Sequence, residues 1–226
     1  MSAQPVEEAE TETSAAPRLV RVTAPARSDL ATLRSQLLAA ASRLTISEGW
    51  SKVTMSRLAD DVGVSRQTVY NEFGSKPALA QQLVLGELQV FLGRVFDGFT
   101  ANPGDPVGAI HDAALNVLRL SLENPLLHAV IAGSHGAESE LLPLLTTDSE
   151  ALLTLAKEAI TEGMLRFDLR LTRAQLDVGV DVVVRTVLSH VIHPSGTPEE
   201  TAAGIAWIAS VVLGLDDQWG DAKPVS

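Results

Sequence analysis

Apolar side chains recur every three or four residues along most of this chain, a spacing that predicts helices and not strands. From Ser28-Asp29 the positions Leu30, Leu33, Leu37, Leu38, Ala41 and Leu44 form one stripe. They predict an amphipathic helix of about five turns that ends at Gly49. Leu58, Ala59 and Val62 predict a short helix capped by Thr54, and Gly63 marks a sharp reversal. Val64 and Val69 continue the buried face into a second short helix, which Ser65 opens. A long helix follows from Ser75 to about Thr100, apolar on more than one face, as in a helix packed on two sides. The run Asn102-Pro103-Gly104-Asp105-Pro106 breaks it, with Asp105 as a cap and Pro106 as the first residue of the next helix. Helices are then expected over about 107–122, from Asn124-Pro125 to near Gly133, and over about 138–164. Thr172 with Gln175, and Thr197 with Glu200, have capping-box spacing and open two last helices, about 173–192 and 198–217. No segment has strand periodicity and no internal repeat is visible, so the fold class is all-α with about nine helices.

Residues 1–27 are rich in Ala, Glu, Thr and Pro and lack this periodicity, which predicts a disordered arm ending in Arg18, Arg21 and Arg27. Composition agrees with packed helices: 46% of the 226 residues are hydrophobic but only 4% aromatic. There is no cysteine, which excludes a disulfide framework and thiolate metal or nucleophile chemistry. No apolar run approaches the ~18–20 residues of a membrane span. Residues 176–192 come nearest and are interrupted by Asp177, Asp181 and Arg185. The acidic start is unlike a secretory signal, so a soluble, cytoplasmic chain is expected.

The net charge of −11 argues against nucleic acid until its distribution is considered. Residues 18–80 carry nine Lys and Arg against five Asp and Glu, whereas residues 81–226 carry eight against nineteen. The basic surplus thus coincides with the two short helices, where phosphate contacts need it. With Val64 and Val69 buried, the second of these helices turns Arg66, Gln67, Thr68, Tyr70 and Asn71 outward. Such side chains reach base edges and phosphates, and the pair reads as a helix-turn-helix. Arg66, Gln67 and Thr68 lead the recognition helix and are the candidates for base edges, with Asn71 behind them.

Thr54, Leu58-Ala59, Val62-Gly63-Val64-Ser65, Thr68-Val69-Tyr70-Asn71-Glu72-Phe73, Ser75-Lys76 and Leu79 together resemble the DNA-binding domain of the tetracycline-repressor (TetR) family. The resemblance covers roughly residues 30–80 and rests on about a dozen positions in order and spacing. Pro77 departs from the family pattern, but Pro is tolerated in a first helical turn. By this resemblance Tyr70, Thr54 and Lys76 are phosphate contacts, residues 28–75 are the DNA-binding domain, and residues 76–226 bind a ligand and dimerise.

On the last two helices, Leu176, Val180, Val183, Val184, Val187 and Val191 form one apolar stripe, and Ala202, Ala203, Ala206, Ile208, Ala209 and Val212 another. Burial inside one subunit and pairing with a two-fold mate explain this pattern equally well, and the resemblance favours the homodimer. For a ligand site the middle helices offer Phe91, Phe96, Leu118, Leu122, Leu127, Val130, Ile131, Met164, Leu165 and Phe167, with His128 and His135 as head-group contacts. Each of these also reads as an ordinary structural residue. His190 and His193 stand three apart, but no carboxylate or Cys nearby completes a metal set, and no cofactor is implied. The expectation is therefore a homodimeric repressor that binds a palindromic operator and is released by a small apolar, lipid-like ligand. An activator with the same DNA head and a carrier without DNA binding are the alternatives. An enzyme is not expected, for want of paired carboxylates with a His, a phosphate loop or a nucleophile–base pair.

Overall fold

The computed structural model describes residues 27–132, 141–146 and 149–215, with side chains from residue 32 in the first stretch. The expected arm up to residue 26, Gly133 and His135 lie outside the described residues. Those residues form helices only: α1 (Arg27–Glu48), α2 (Met55–Val62), α3 (Arg66–Phe73), α4 (Lys76–Ala101), α5 (Pro106–Glu123), α6 (Pro125–Ala132), the single turn α7 (Leu142–Leu145), α8 (Glu150–Met164), α9 (Arg173–Ile192) and α10 (Pro198–Leu213). A 3-10 turn, Trp50–Lys52, joins α1 to α2.

The boundaries follow from local chemistry. Side-chain oxygens of Thr54, Ser65 and Ser75 accept from the backbone N–H of Arg57, Thr68 and Ala78, satisfying an orphan donor at the start of α2, α3 and α4. Asp105 does so twice for α5, and full capping boxes open α9 and α10. Gly63 ends α2 at φ 77° and ψ 34°, a left-handed conformation that a side chain disfavours. Gly214 at φ 67° stops α10 at Leu213, four residues before the expected end. The helix expected over 138–164 is α7 and α8 instead. Between them Thr146 donates its hydroxyl to the Leu142 carbonyl and Ser149 to the Thr146 carbonyl, so side chains take acceptors a continuous helix would use.

Two cores form. The first gathers α1, α2 and α3 around Leu37, Val53, Leu58, Val69 and Phe73, closed by Leu79 and Leu83 of α4 and by Leu126, Val130 and Leu141. The second packs α4, α5, α8, α9 and α10 around Leu92, Phe99, Ala109, Val117, Val180 and Ala202. α4 contributes to both, its first half to one and its second half to the other. α5 lies between α4 and α10, and the α4–α5 crossing is close at Gly98, where a Cβ would fall 2.4 Å from the Ala113 backbone nitrogen. No helix among the described residues is long and apolar enough to cross a membrane.

The apolar stripe of α9 faces inward. Leu176, Val180 and Val184 are buried within the subunit, as are Ala202, Ala206 and Ala209 of α10, of which Ala202 and Ala209 pack in the second core. What the same two helices leave outside is Val178, Val182, Trp207, Ile208, Val211 and Val212, each about half exposed or more. The stripe read on α9 is thus a core face, whereas the stripe read on α10 is divided, with Ala202, Ala206 and Ala209 buried and Ile208 and Val212 exposed.

Candidate nucleic-acid interface and apolar cavity

α3 is held from behind and polar in front. Val69 is fully buried and Phe73 nearly so. Arg34 of α1 lies 4.9 Å over the Phe73 ring, bonds the Glu72 carboxylate at 2.5 Å and donates to Gln82 Oε1 of α4 at 2.9 Å. One guanidinium therefore fixes α3 against both neighbouring helices. On the outer side, Arg66, Gln67 and Asn71 are exposed, and Thr68 and Tyr70 are half-buried. Gln67 donates to Asn71 Oδ1 at 2.8 Å, and Thr68 Oγ1 lies 2.8 Å from Ser65 Oγ. Arg66 stacks 5.3 Å over the Tyr70 ring, with Nη2 3.2 Å from the phenol oxygen. Lys76 sits at the start of α4 with its ammonium 5.1 Å over Trp50. Thr54 is exposed, its oxygen accepting from Arg57 N, which leaves its hydroxyl proton free to donate outward.

Ion pairing sorts the cations of this face. Arg34, Arg43 and Arg57 are spent on Glu72, Asp61 and Glu48. The hydrogen bond from Arg57 holds the Glu48 carboxyl below its ordinary range. Among the described residues Lys52, Arg66 and Lys76 have no carboxylate partner, so the surplus positive charge rests on them. Lys52 was not singled out by the sequence pattern. Its signal is that Glu48, the acidic residue near it, is held by Arg57 instead, a pairing that only the fold reveals.

A second feature lies on the other side of α4. An apolar cavity of about 150 Å³ opens between α4, α5, α6, α8 and α9. Phe91, Leu127 and Val130 line it, together with Leu88, Phe99, Ile110, Val184 and Val187. Leu118 and Leu122 border a separate small groove near His190, and Met164 is buried in the core away from the cavity wall. Phe96, Leu122, Leu165 and His128 are exposed, Ile131 lies off the lining, and Phe167 stacks 6.3 Å from Phe99 behind it. Among the described residues one charged side chain lines the cavity, Glu87, which the sequence does not mark because a lone Glu on an amphipathic helix reads as solvated. Leu83, Leu126, Val130 and Leu141 are shared: they line the cavity and belong to the core that carries α3.

Two family models match the chain: "Bacterial regulatory proteins, tetR family" over residues 37–83 and "Bacterial Tetracyclin repressor, C-terminal domain" over residues 105–211. The HTH-type transcriptional regulator AlkX of Mycobacterium tuberculosis is 32% identical over 181 residues, covering 80% of this chain and 85% of that protein. The crystal structure of the TetR family repressor AlkX from a Dietzia species, implicated in biodegradation of n-alkanes, superposes with a TM-score of 0.66. It is 29% identical, with 80% of this chain and 95% of that one covered. The R. erythropolis repressor QsdR shares the fold at a TM-score of 0.58 and 15% identity, over 82% of this chain and 96% of that one.

Proposed function

The chain belongs to the tetR family of bacterial regulatory proteins and is a DNA-binding transcriptional regulator, and from that premise we propose a repressor that leaves its operator when a small apolar ligand fills the cavity. Its working form would be a homodimer on a palindromic operator, with residues 28–75 as the DNA head, residues 76–226 as the ligand-binding and dimerisation half, and the cytoplasm as its compartment. Arg66, Gln67, Thr68 and Asn71 would meet base edges, and Thr54, Tyr70, Lys76 and the unpaired Lys52 would meet phosphates. The observation that carries the ligand-release reading is the shared wall. Leu83, Leu126, Val130 and Leu141 touch the cavity and the core under α3 at once, so a ligand that moves them moves the recognition helix. A ligand preferring the conformer with misplaced α3 helices lowers operator affinity by that preference and no more. The AlkX relatives, both regulators and one a repressor implicated in n-alkane biodegradation, support an apolar effector.

The test is a mobility shift on DNA upstream of the gene and its neighbours, run across salt concentrations. A discrete, salt-sensitive complex with two subunits per site is expected, and it should dissociate when an apolar ligand that fills the cavity is added in excess. Failure to shift any such fragment, with protein freed of co-purified lipid, sinks the regulator mechanism in this form.

A further inference from the structure

The charge inventory of the cavity narrows what it can hold. Among the described residues its lining is hydrocarbon apart from the Glu87 carboxylate, with no Lys, Arg or His. Glu87 accepts through Oε1 from Nδ2 of Asn124. Asn124 is itself buried, and its Oδ1 accepts from Leu127 N at 2.8 Å, capping α6. The second carboxylate oxygen has no partner among the described residues. An ionised carboxylate only accepts hydrogen bonds. A second carboxylate brought beside it in apolar surroundings, with no cation to offset the pair, is strongly opposed.

We propose, building on the ligand-release reading above, that the cavity selects a small amphiphile whose head donates a hydrogen bond and is not anionic, and that Glu87 reads that head. An apolar cavity of this size holds a body of about six to eight carbons, since one of about 150 Å³ accommodates a benzene ring. Recognition and response meet at the same carboxylate. A head group that bonds the open Glu87 oxygen draws on the same carboxylate that holds Asn124, the cap of α6, and α6 carries Leu126 and Val130 into the core of the DNA head. Ligand chemistry is thereby coupled to α3 through one polar pair in an otherwise hydrocarbon wall.

Titration calorimetry on the full-length protein at neutral pH tests this with three probes of equal chain length: 1-octanol, octylammonium chloride and sodium octanoate. The alcohol and the ammonium are expected to bind, and octanoate to bind at least about tenfold more weakly than octanol. In Glu87→Gln the amide oxygen still accepts, so octanol is retained while octylammonium loses its advantage. In Glu87→Leu, octanol and octanoate are expected within about threefold of each other. If Glu87→Leu does not fold, the Glu87→Gln result decides alone. Octanoate binding to the wild type as tightly as octanol overturns the proposal and leaves the ligand cavity standing. A preference for octanol over octanoate that survives both substitutions unchanged does the same for the role of Glu87. Absence of binding by all three probes removes the cavity from ligand recognition altogether, and the proposal with it.

Discussion

Arg66 and Tyr70 present a stacked pair on α3 before any DNA arrives. Tyr70→Ala removes the phenol and the surface that orders Arg66, and is expected to weaken operator binding by at least about tenfold, or ~1.4 kcal/mol. The helical fold should survive, because Val69 and Phe73 anchor α3 and Tyr70 is only half-buried. Tyr70→Phe keeps the stack and isolates the phenol, so a smaller loss is expected. Fluorescence anisotropy on labelled operator at moderate salt measures both, and unchanged affinity in Tyr70→Ala removes this residue from the interface. At this scale the legible residues were those whose partners are near in sequence. Thr54, Ser65, Ser75 and Asp105 cap helices two or three positions away, and such spacing is visible in the chain itself. Arg34 was not legible, because its partners Glu72 and Gln82 lie 38 and 48 positions downstream. Glu87 was not either, since only the fold makes it the one charge among the described residues of an apolar wall.

Helices α4 and α5 approach most closely at Gly98, and the reason is absence of a side chain. A Cβ there would sit 2.4 Å from Ala113 N and 2.7 Å from Ala113 Cα, both backbone atoms that cannot swing aside. Gly98→Ala should therefore destabilise the protein by about 1–3 kcal/mol, although Ala favours a helix intrinsically. Chemical denaturation measures it, and a gain in stability would mean that the crossing is looser than this geometry. The α8–α9 contact carries a pH signature. Hydrogen bonds from Arg185 and then from Lys157 hold the Asp181 carboxyl below its ordinary range. A depressed folded value means the stabilisation is present above the unfolded pKa of about 3.9 and lost as pH falls through the folded value. The melting difference between wild type and Asp181→Asn is thus expected to be steady near neutrality and to shrink below about pH 4. A difference that persists unchanged into acid assigns the effect to packing. Helix existence was legible throughout at this scale, because the 3.6-residue period is long and clean in α1, α4 and α9. The division of 138–164 into α7 and α8 was obscured because Leu-rich flanks carry the period across Thr146 and Ser149, whose side chains end it.

Among the described residues an apolar surface lies open across α9 and α10. Periodicity pointed to these helices and, on α10, to Ile208 and Val212, which are exposed, but on α9 to Leu176, Val180 and Val184, which fill the subunit's own core. Apolar residues on more than one side of α9 leave the sequence no means of choosing its outer face. The outer face carries Val178, Val182, Trp207, Ile208, Val211 and Val212, each exposed by 49–65%. Soluble monomers seldom expose contiguous patches beyond a few hundred Å², whereas stable pairs bury about 800 Å² per partner. We propose a two-fold contact through this face as its cover, since an isologous interface sets the same patch of both subunits against each other. It would hold two α3 helices on one side of the pair, to meet half-sites one DNA turn, ~34 Å, apart. Ile208→Glu then introduces two carboxylates per dimer into an apolar contact, a cost of several kcal/mol with nothing to offset it. Sedimentation should change from dimer to monomer, and operator affinity should fall steeply because each head then binds a half-site alone. The monomer should keep its helical signal, since Ile208 is half exposed and the α5-facing side of α10 is untouched. If Ile208→Glu, and the double variant with Val182→Glu, still sediment as dimers, the two-fold axis runs through another face, and the spacing of the recognition helices must be sought there.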